Sequence, residues 1–207
     1  PYHNPNVKQA HDVPDQATPL VAEYCAEFPD NCADGRINME FQYSGPSVIQ
    51  DRVYDILSEG WSDHFNITKD MKPQDAHINE VAFGQYDFVT WRQMGIANPD
   101  GDVTWLNCTA VGFVSLNWPR LCDEERDALM YQARGSSDQD EKIDIWKQVA
   151  EMINADYAYL MFTHTLWAHA YSPDVAGACD YRFPDGSVPR CNYSGYTDYF
   201  SQLDMAK

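Results

Sequence analysis

The stretch Arg36-Ile37-Asn38-Met39-Glu40-Phe41-Gln42-Tyr43-Ser44-Gly45-Pro46 decides the fold. Ile37, Met39, Phe41 and Tyr43 alternate with polar residues, the period-two pattern of a strand with one buried face. Ser44-Gly45-Pro46 ends the alternation and starts a helix with proline in its first turn. Ile49, Val53, Ile56 and Leu57 form the apolar stripe of that helix, and Gly60 stops it. The pattern then repeats. Phe65-Asn66-Ile67-Thr68 reads as a short strand. Pro73 opens a second helix, with Ile78, Val81 and Ala82 on one face and Gly84 as its stop. Tyr86 to Trp91 is aromatic and β-branched, a third strand. Strand–helix–strand–helix–strand predicts an α/β fold, a mixed sheet flanked by helical crossovers.

Upstream, residues 1–35 are rich in Pro, Asp, Asn and Gln and offer at most one short helix, around Pro19 to Phe28. They read as an entry segment, with order beginning at Arg36. Pro1-Tyr2-His3-Asn4-Pro5 is polar and carries no apolar signal core. Downstream, a long loop with Asn98-Pro99-Asp100-Gly101-Asp102 leads to two helices. The first runs from about Asp123 to Arg134. The second is capped by Ser137, has Asp138, Asp140 and Glu141 in its first turn, and buries Ile143, Trp146, Val149, Ala150 and Ile153. Ala158 to Tyr171 is rich in strand formers, and the tail between Cys179 and Cys191 reads as a hairpin turning at Asp185-Gly186.

Composition narrows the function. The 207 residues are 44% hydrophobic and 14% aromatic, enough for a packed core. Every long apolar run is soon broken by polar residues, so none suits a membrane span. Fourteen Lys and Arg against 32 Asp and Glu give a formal charge of −18. That field repels a phosphate backbone and an anionic membrane surface. The six cysteines fall into local pairs, Cys25 with Cys32, Cys108 with Cys122 and Cys179 with Cys191. Even number, local spacing and turn residues between the partners suit three disulfides, and so an oxidising compartment.

From Arg36 onward the chain resembles the family 5 extracellular solute-binding proteins, the peptide, nickel and oligosaccharide receptors of ABC importers. Arg36 to Phe41 is similar to the strand that begins that family's C-terminal lobe. Val48-Ile49-Gln50 through Gly60 resembles its helix. Phe83-Gly84-Gln85-Tyr86-Asp87-Phe88 followed by Trp91 resembles its "G-x-Y-D" strand with terminal Trp. Asn98-Pro99-Asp100, Asn117, Asp127-Ala128-Leu129 and Val175-Ala176-Gly177 are similar to further elements in the same order. The resemblance implies a periplasmic-binding-protein type II-like lobe over residues 36–207, the C-terminal half of a clamshell that closes on a small solute. It implies a non-enzyme, without metal or cofactor, that is monomeric and works with ABC permease subunits. It implies a periplasmic or extracellular place, in a bacterial lipoprotein anchored through a part absent from this chain. One departure stands out: the stretch Trp91-Arg92-Gln93-Met94-Gly95-Ile96-Ala97 lacks the acidic residue that often pairs with a peptide's amino group.

Trp91 ends a predicted strand, where α/β sheets bind ligands, so it either stacks on a sugar or aromatic group or packs into the core. Arg92 and Gln93 either hydrogen-bond a carboxylate or hydroxyls or sit in a solvated loop. Asn98 and Asp100 either touch the ligand or shape their turn. Asn117 and Trp118, inside the Cys108–Cys122 loop, either present a binding surface or close that loop. His164 and His169, five apart in a strand-like stretch, face opposite ways and do not suggest a shared metal. Asn66-Ile67-Thr68, Asn107-Cys108-Thr109 and Asn192-Tyr193-Ser194 match the glycosylation triplet. No nucleophile elbow, P-loop or HExxH occurs. Two alternatives remain: a secreted hydrolase using paired carboxylates, with Asp87 and Asp100 as candidates, and a disulfide-stapled adhesion module.

Overall fold

A computed structural model describes residues 1–10, 13–91, 99–161, 172–176 and 204–205. The chain forms two compact units, one of Pro1–Trp91 with Thr104–Leu160, the other of Arg92–Val103 with Met161–Lys207. In chain order the elements are α1 (Pro14–Glu27), β1 (Cys32–Ala33), β2 (Arg36–Ser44), α2 (Val48–Gly60), β3 (Phe65–Lys72), α3 (Gln74–Phe83), β4 (Phe88–Val89), α4 (Val103–Leu106), α5 (Glu124–Gly135), α6 (Gln139–Ala155), β5 (Val175–Ala176) and β6 (Asp204–Met205). β5 and β6 pair antiparallel within the second unit.

The decisive stretch, β2, is the middle of a mixed sheet. β3 runs parallel along one edge, from Ile37 opposite Phe65 to Ser44 opposite Lys72. The other edge is shared. β1 lies antiparallel against Arg36 and Ile37, and β4 lies parallel against Phe41 and Gln42. Alternation along β2 assigns the two faces. Phe41 and Tyr43 turn to α2, where Phe41 meets Tyr54 at 6.0 Å between ring centroids and the Tyr43 hydroxyl donates to Asp51. Gln42 turns the other way and donates from Nε2 to Glu80 of α3 at 2.6 Å. The two crossover helices therefore lie on opposite faces, as right-handed connections in the order β3–β2–β4 require. Phe41 and Tyr43 are fully buried, and each contributes about 1.5–3 kcal/mol through the apolar area it removes from water.

β3 extends to Lys72, beyond the expected stop at Thr68. Lys69 lies on the same face as Ile67, with its ammonium 5.7 Å from the Tyr43 ring centroid and 5.6 Å from that of Tyr54, and it pairs with Asp51. β4 is shorter than Tyr86–Trp91 and comprises only Phe88–Val89, with the Thr90 amide adding a bond to the Gln42 carbonyl at 3.0 Å. The stripe of α2 is rotated from the expected one. Val53, Tyr54 and Leu57 are half-buried, while Ile49 and Ile56 stay exposed at 66% and 54%. Tyr54 sets that rotation, because its ring packs on Phe41 and its hydroxyl donates to the Ile67 carbonyl at 3.3 Å. On α3, His77 and Val81 are buried and Ile78 is exposed.

The expected cap of α6 moves by one residue. Asp138, not Ser137, accepts from the amides of Asp140 and Glu141. A carboxylate satisfies these donors and the helix dipole together, which a hydroxyl does less well. Ile145, absent from the expected stripe, is buried beside Trp146 and Val149. Asp123 caps α5 in the same manner as Asp138 caps α6. Order also extends upstream of Arg36. Helix α1 starts at Pro14 rather than Pro19, and Asn4 donates to the Lys147 carbonyl and to Glu151 of α6 at 3.1 and 2.8 Å. Ala158–Met161 forms no strand, while residues 162–171 and the expected hairpin of Cys179–Cys191 lie outside the described residues. Among the described residues, no helix is long and apolar enough to cross a membrane.

Candidate functional site

The chain leaves β2 toward β3 on one side and later returns past β2 to β4 on the other. The strand order therefore reverses between β2 and β4, and open α/β sheets bind ligands beyond the carboxyl ends of the strands at such a reversal. Ser44-Gly45 ends one strand and Thr90-Trp91 follows the other. A Cβ at Gly45 would come within 2.4 Å of the Met71 side chain, which would have to move aside, and the Gly45 amide donates to the Lys72 carbonyl at 2.9 Å.

Trp91 is half-buried at this point and fixed by its neighbours. His77 of α3 lies nearly parallel to it, with centroids 5.5 Å apart and planes at 19°. Trp118 packs on it at 4.7 Å and in turn meets Trp105 at 5.5 Å. The result is a row of four rings, His77, Trp91, Trp118 and Trp105. His77 is 3% exposed, and its Nε2 donates to the Thr90 carbonyl at 3.2 Å. That bond fixes the tautomer: Nδ1 is the bare nitrogen, and it has no partner among the described residues. Burial pushes the imidazole below its ordinary 6.5, against the smaller opposing effects of the Thr90 carbonyl, Glu80 and Asp70. The Trp118 Nε1 also lacks a partner among the described residues. Tyr86 holds the Trp118 backbone by donating to its carbonyl at 2.5 Å, and burial raises the pKa of its phenol.

Asn117 is consumed by its own loop. Its Nδ2 donates to the carbonyls of Leu106, Asn107 and Leu121 at 3.1, 3.2 and 2.9 Å, and its Oδ1 accepts from the Leu121 amide. Cys108 and Cys122 close the loop as a disulfide with Cα atoms 4.5 Å apart. Asp127 of α5 accepts from the Cys108 amide at 2.9 Å and ties the loop to the helix pair. Cys25 and Cys32 are likewise bonded, with Cα atoms 5.7 Å apart. Asp100 lies in a single 3-10 turn, Pro99–Gly101, within the second unit. Arg92, Gln93, Asn98, His164, His169, Cys179 and Cys191 lie outside the described residues.

Of the residues singled out by sequence, Trp91 and Trp118 are thus brought into contact, with Asn117 supporting the second. His77, Trp105 and Tyr86 were missed. His77 carried a usable signal, since it stands four residues before Val81 on the buried side of α3. Trp105 had only its place in the apolar run Val103-Thr104-Trp105-Leu106. Asp87 serves the strand: its carboxylate accepts from the Glu40 amide at 3.0 Å. Two glycosylation triplets are also engaged, with Asn66 donating to the Ala33 carbonyl and to Asn38, and Asn107 buried. Among the described residues, no group of three or more His, Cys, Asp or Glu is placed to hold a metal ion.

No protein-family model and no curated protein matches this sequence. Solved structures do match the fold. It is the fold of solute-binding protein lobes. The oligopeptide-binding protein AppA from Bacillus subtilis, solved with a nonapeptide, superposes with a TM-score of 0.65 at 12% identity, covering 100% of this chain and 40% of its own. The periplasmic binding protein DppA from Helicobacter pylori, solved with the peptide STSA, gives 0.63 at 18% identity over 77% of this chain and 30% of its own. NikA from Brucella suis, solved with Fe(III)-EDTA, gives 0.58 at 16% identity over 74% and 32%. The chain therefore spans about a third of the length of these structures. At such identities the likeness is one of fold, and the neighbours are binding proteins rather than enzymes.

Proposed function

We propose that this chain is a substrate-binding lobe of an extracytoplasmic solute-binding protein that captures a small solute for an ABC importer. One observation carries the proposal: the half-buried Trp91, braced by His77 and Trp118, stands at the carboxyl ends of β2 and β4, the switch point of a solute-binding fold. Trp91 offers its indole to the solute with Trp118 packed on it, Asn117 serves the loop that carries Trp118, and Arg92, Gln93, Asn98 and Asp100 follow in the chain as polar contacts. The lobe spans 36–207 with residues 1–35 as its entry, corresponds to the C-terminal half of the receptor, and meets permease subunits as its partner. Two disulfides favour an oxidising, extracytoplasmic place.

The solute class follows from the missing charge. A buried ammonium needs a fixed negative partner, and no carboxylate occurs between Trp91 and Ala97. Arg92 and Gln93 suit hydroxyls or a carboxylate, and Trp91 suits the apolar face of a sugar. A non-peptide solute is therefore favoured, although structures of this fold have been solved with peptides and with Fe(III)-EDTA alike.

A single lobe encloses only part of a ligand and binds weakly, so the test must register millimolar affinity. Tryptophan indole resonances of the chain are followed by NMR while maltotriose, the dipeptide Met-Leu, the tetrapeptide Ser-Thr-Ser-Ala and Fe(III)-EDTA are each titrated to several millimolar. A saturable shift of the Trp91 indole with one class supports capture at this site and identifies the class. Shifts confined to indoles other than Trp91, or none with any probe, overturn the assignment of the site.

A further inference from the structure

His77 does not read as an ordinary core residue. It is fully enclosed, makes one hydrogen bond, leaves one ring nitrogen without a partner among the described residues, and lies flat on Trp91, two residues beyond β4. We propose that His77 is a positioning residue that presents Trp91 at the strand end only while its imidazole is neutral, so that the site is released as the pH falls.

The geometry gives the reason. In the neutral ring, Nε2–H donates to the Thr90 carbonyl and bare Nδ1 asks for nothing. Protonation places a hydrogen on Nδ1, where no acceptor stands among the described residues, and puts a charge in an enclosed site. The charged groups around the ring only partly oppose this. Glu80, on the same helix, and Asp70 of β3 favour the cation, while Lys72 of β3 disfavours it and pairs with both carboxylates. From the Cys108–Cys122 loop the contact is Trp118 on Trp91, and Arg120 of that loop is turned to the Ala82 carbonyl at 2.8 Å, at the far end of α3. The facing Trp91 ring offers a cation some attraction, but a ring nitrogen with no acceptor remains. Opening the contact lets imidazolium reach water, and the hydrogen bond to Thr90, the residue that places Trp91, opens with it.

The proposal rests on the solute-binding reading only for the meaning of the release. Its test contains no solute, so the two can fail separately. Tryptophan emission of the full chain is followed from pH 8 to pH 4.5 for the wild type, Trp91→Phe and His77→Gln. Glutamine keeps a donor for the Thr90 carbonyl and cannot titrate. The expected result is a one-proton change in emission with a midpoint below 6.5 in the wild type, absent from both variants. A change that persists in His77→Gln overturns the proposal, as does a midpoint at or above 6.5. If either variant fails to fold, histidine ring NMR of the wild type decides. A ring held as the Nε2–H tautomer, titrating below 6.5 together with the Trp91 indole signal, sustains it. A set of histidine rings in which none shows that behaviour overturns it.

Discussion

The guanidinium of Arg126 and the carboxylate of Asp156 form an ion pair that joins the start of α5 to the end of α6. Arg126 is 3% exposed and also donates to the Leu121 carbonyl at 3.1 Å, so it holds the helix hairpin and the end of the disulfide loop at once. Removing Asp156 leaves a charge buried without its partner. Asp156→Ala is expected to lower the unfolding free energy by about 3 kcal/mol, read as a fall in the urea midpoint at unchanged slope. A loss under about 1 kcal/mol would mean that water replaces the carboxylate.

Asn117 predicts a separation of stability from binding. Its two Nδ2 hydrogens are shared among three loop carbonyls, and its Oδ1 accepts one amide. Asn117→Ala abandons several buried groups and is expected to cost about 2–4 kcal/mol. Where the variant is still folded, the Trp91 indole should respond to a solute as in the wild type. A selective loss of that response with unchanged stability would make Asn117 a ligand contact instead.

The two observed disulfides close loops of different length. Chain-entropy arguments give about 3 kcal/mol for Cys108–Cys122 and about 2.5 kcal/mol for Cys25–Cys32, whose partners are 14 and 7 residues apart. Cys→Ser replacement of each pair should therefore lower the melting temperature, somewhat more for the longer loop. Non-reducing digestion and mass spectrometry should also show Cys179 bonded to Cys191, and free thiols there would contradict the local pairing.

Two groups impose opposite pH dependences on stability. Burial holds the His77 pKa below 6.5, so the unfolded chain binds a proton more readily. His77 therefore leaves stability intact above about pH 6.5 and erodes it as the pH falls through that value. Burial raises the Asp102 carboxyl to about 6 from 3.8. Here the folded chain holds the proton more tightly, so the stabilisation is full below about pH 4 and is lost as the pH rises through about 6. Asp102→Asn should consequently stabilise the protein at pH 8 and change little at pH 4. The two effects are separated by comparing thermal unfolding of the single variants across pH.

The sheet was legible because β2 alternates strictly and its neighbours stop at Gly60 and Gly84. The helix faces were less so. On α2, Ile49 and Ile56 suggested a stripe by hydrophobicity, but the large ring of Tyr54 took the place against Phe41 and rolled both isoleucines outward. Trp91 could be located from its place at a strand end. Its bracing could not, since His77 reads as a polar residue on a helix until the Thr90 carbonyl is seen within reach. Trp105 and Trp118 meet across 13 residues of loop, a contact that no local period encodes.

The shared edge of β2 also has a consequence for the order in which the chain assembles. Partner β1 stands five positions away, Cys32 opposite Ile37, and closes as a local hairpin. The parallel partners come later: Phe65 opposite Ile37 is 28 positions on, and Phe88 opposite Phe41 is 47 positions on. Distant parallel pairings form slowly because each must first close a long loop. During synthesis, the half of β2 around Phe41 and Gln42 therefore keeps an open hydrogen-bonding edge until residue 88 has emerged, while the half around Ile37 is covered early. An uncovered edge is a template for intermolecular pairing. Pulsed hydrogen exchange should find the Ile37 region protected before the Phe41–Gln42 region, and a nascent chain ending before Phe88 should self-associate through the latter.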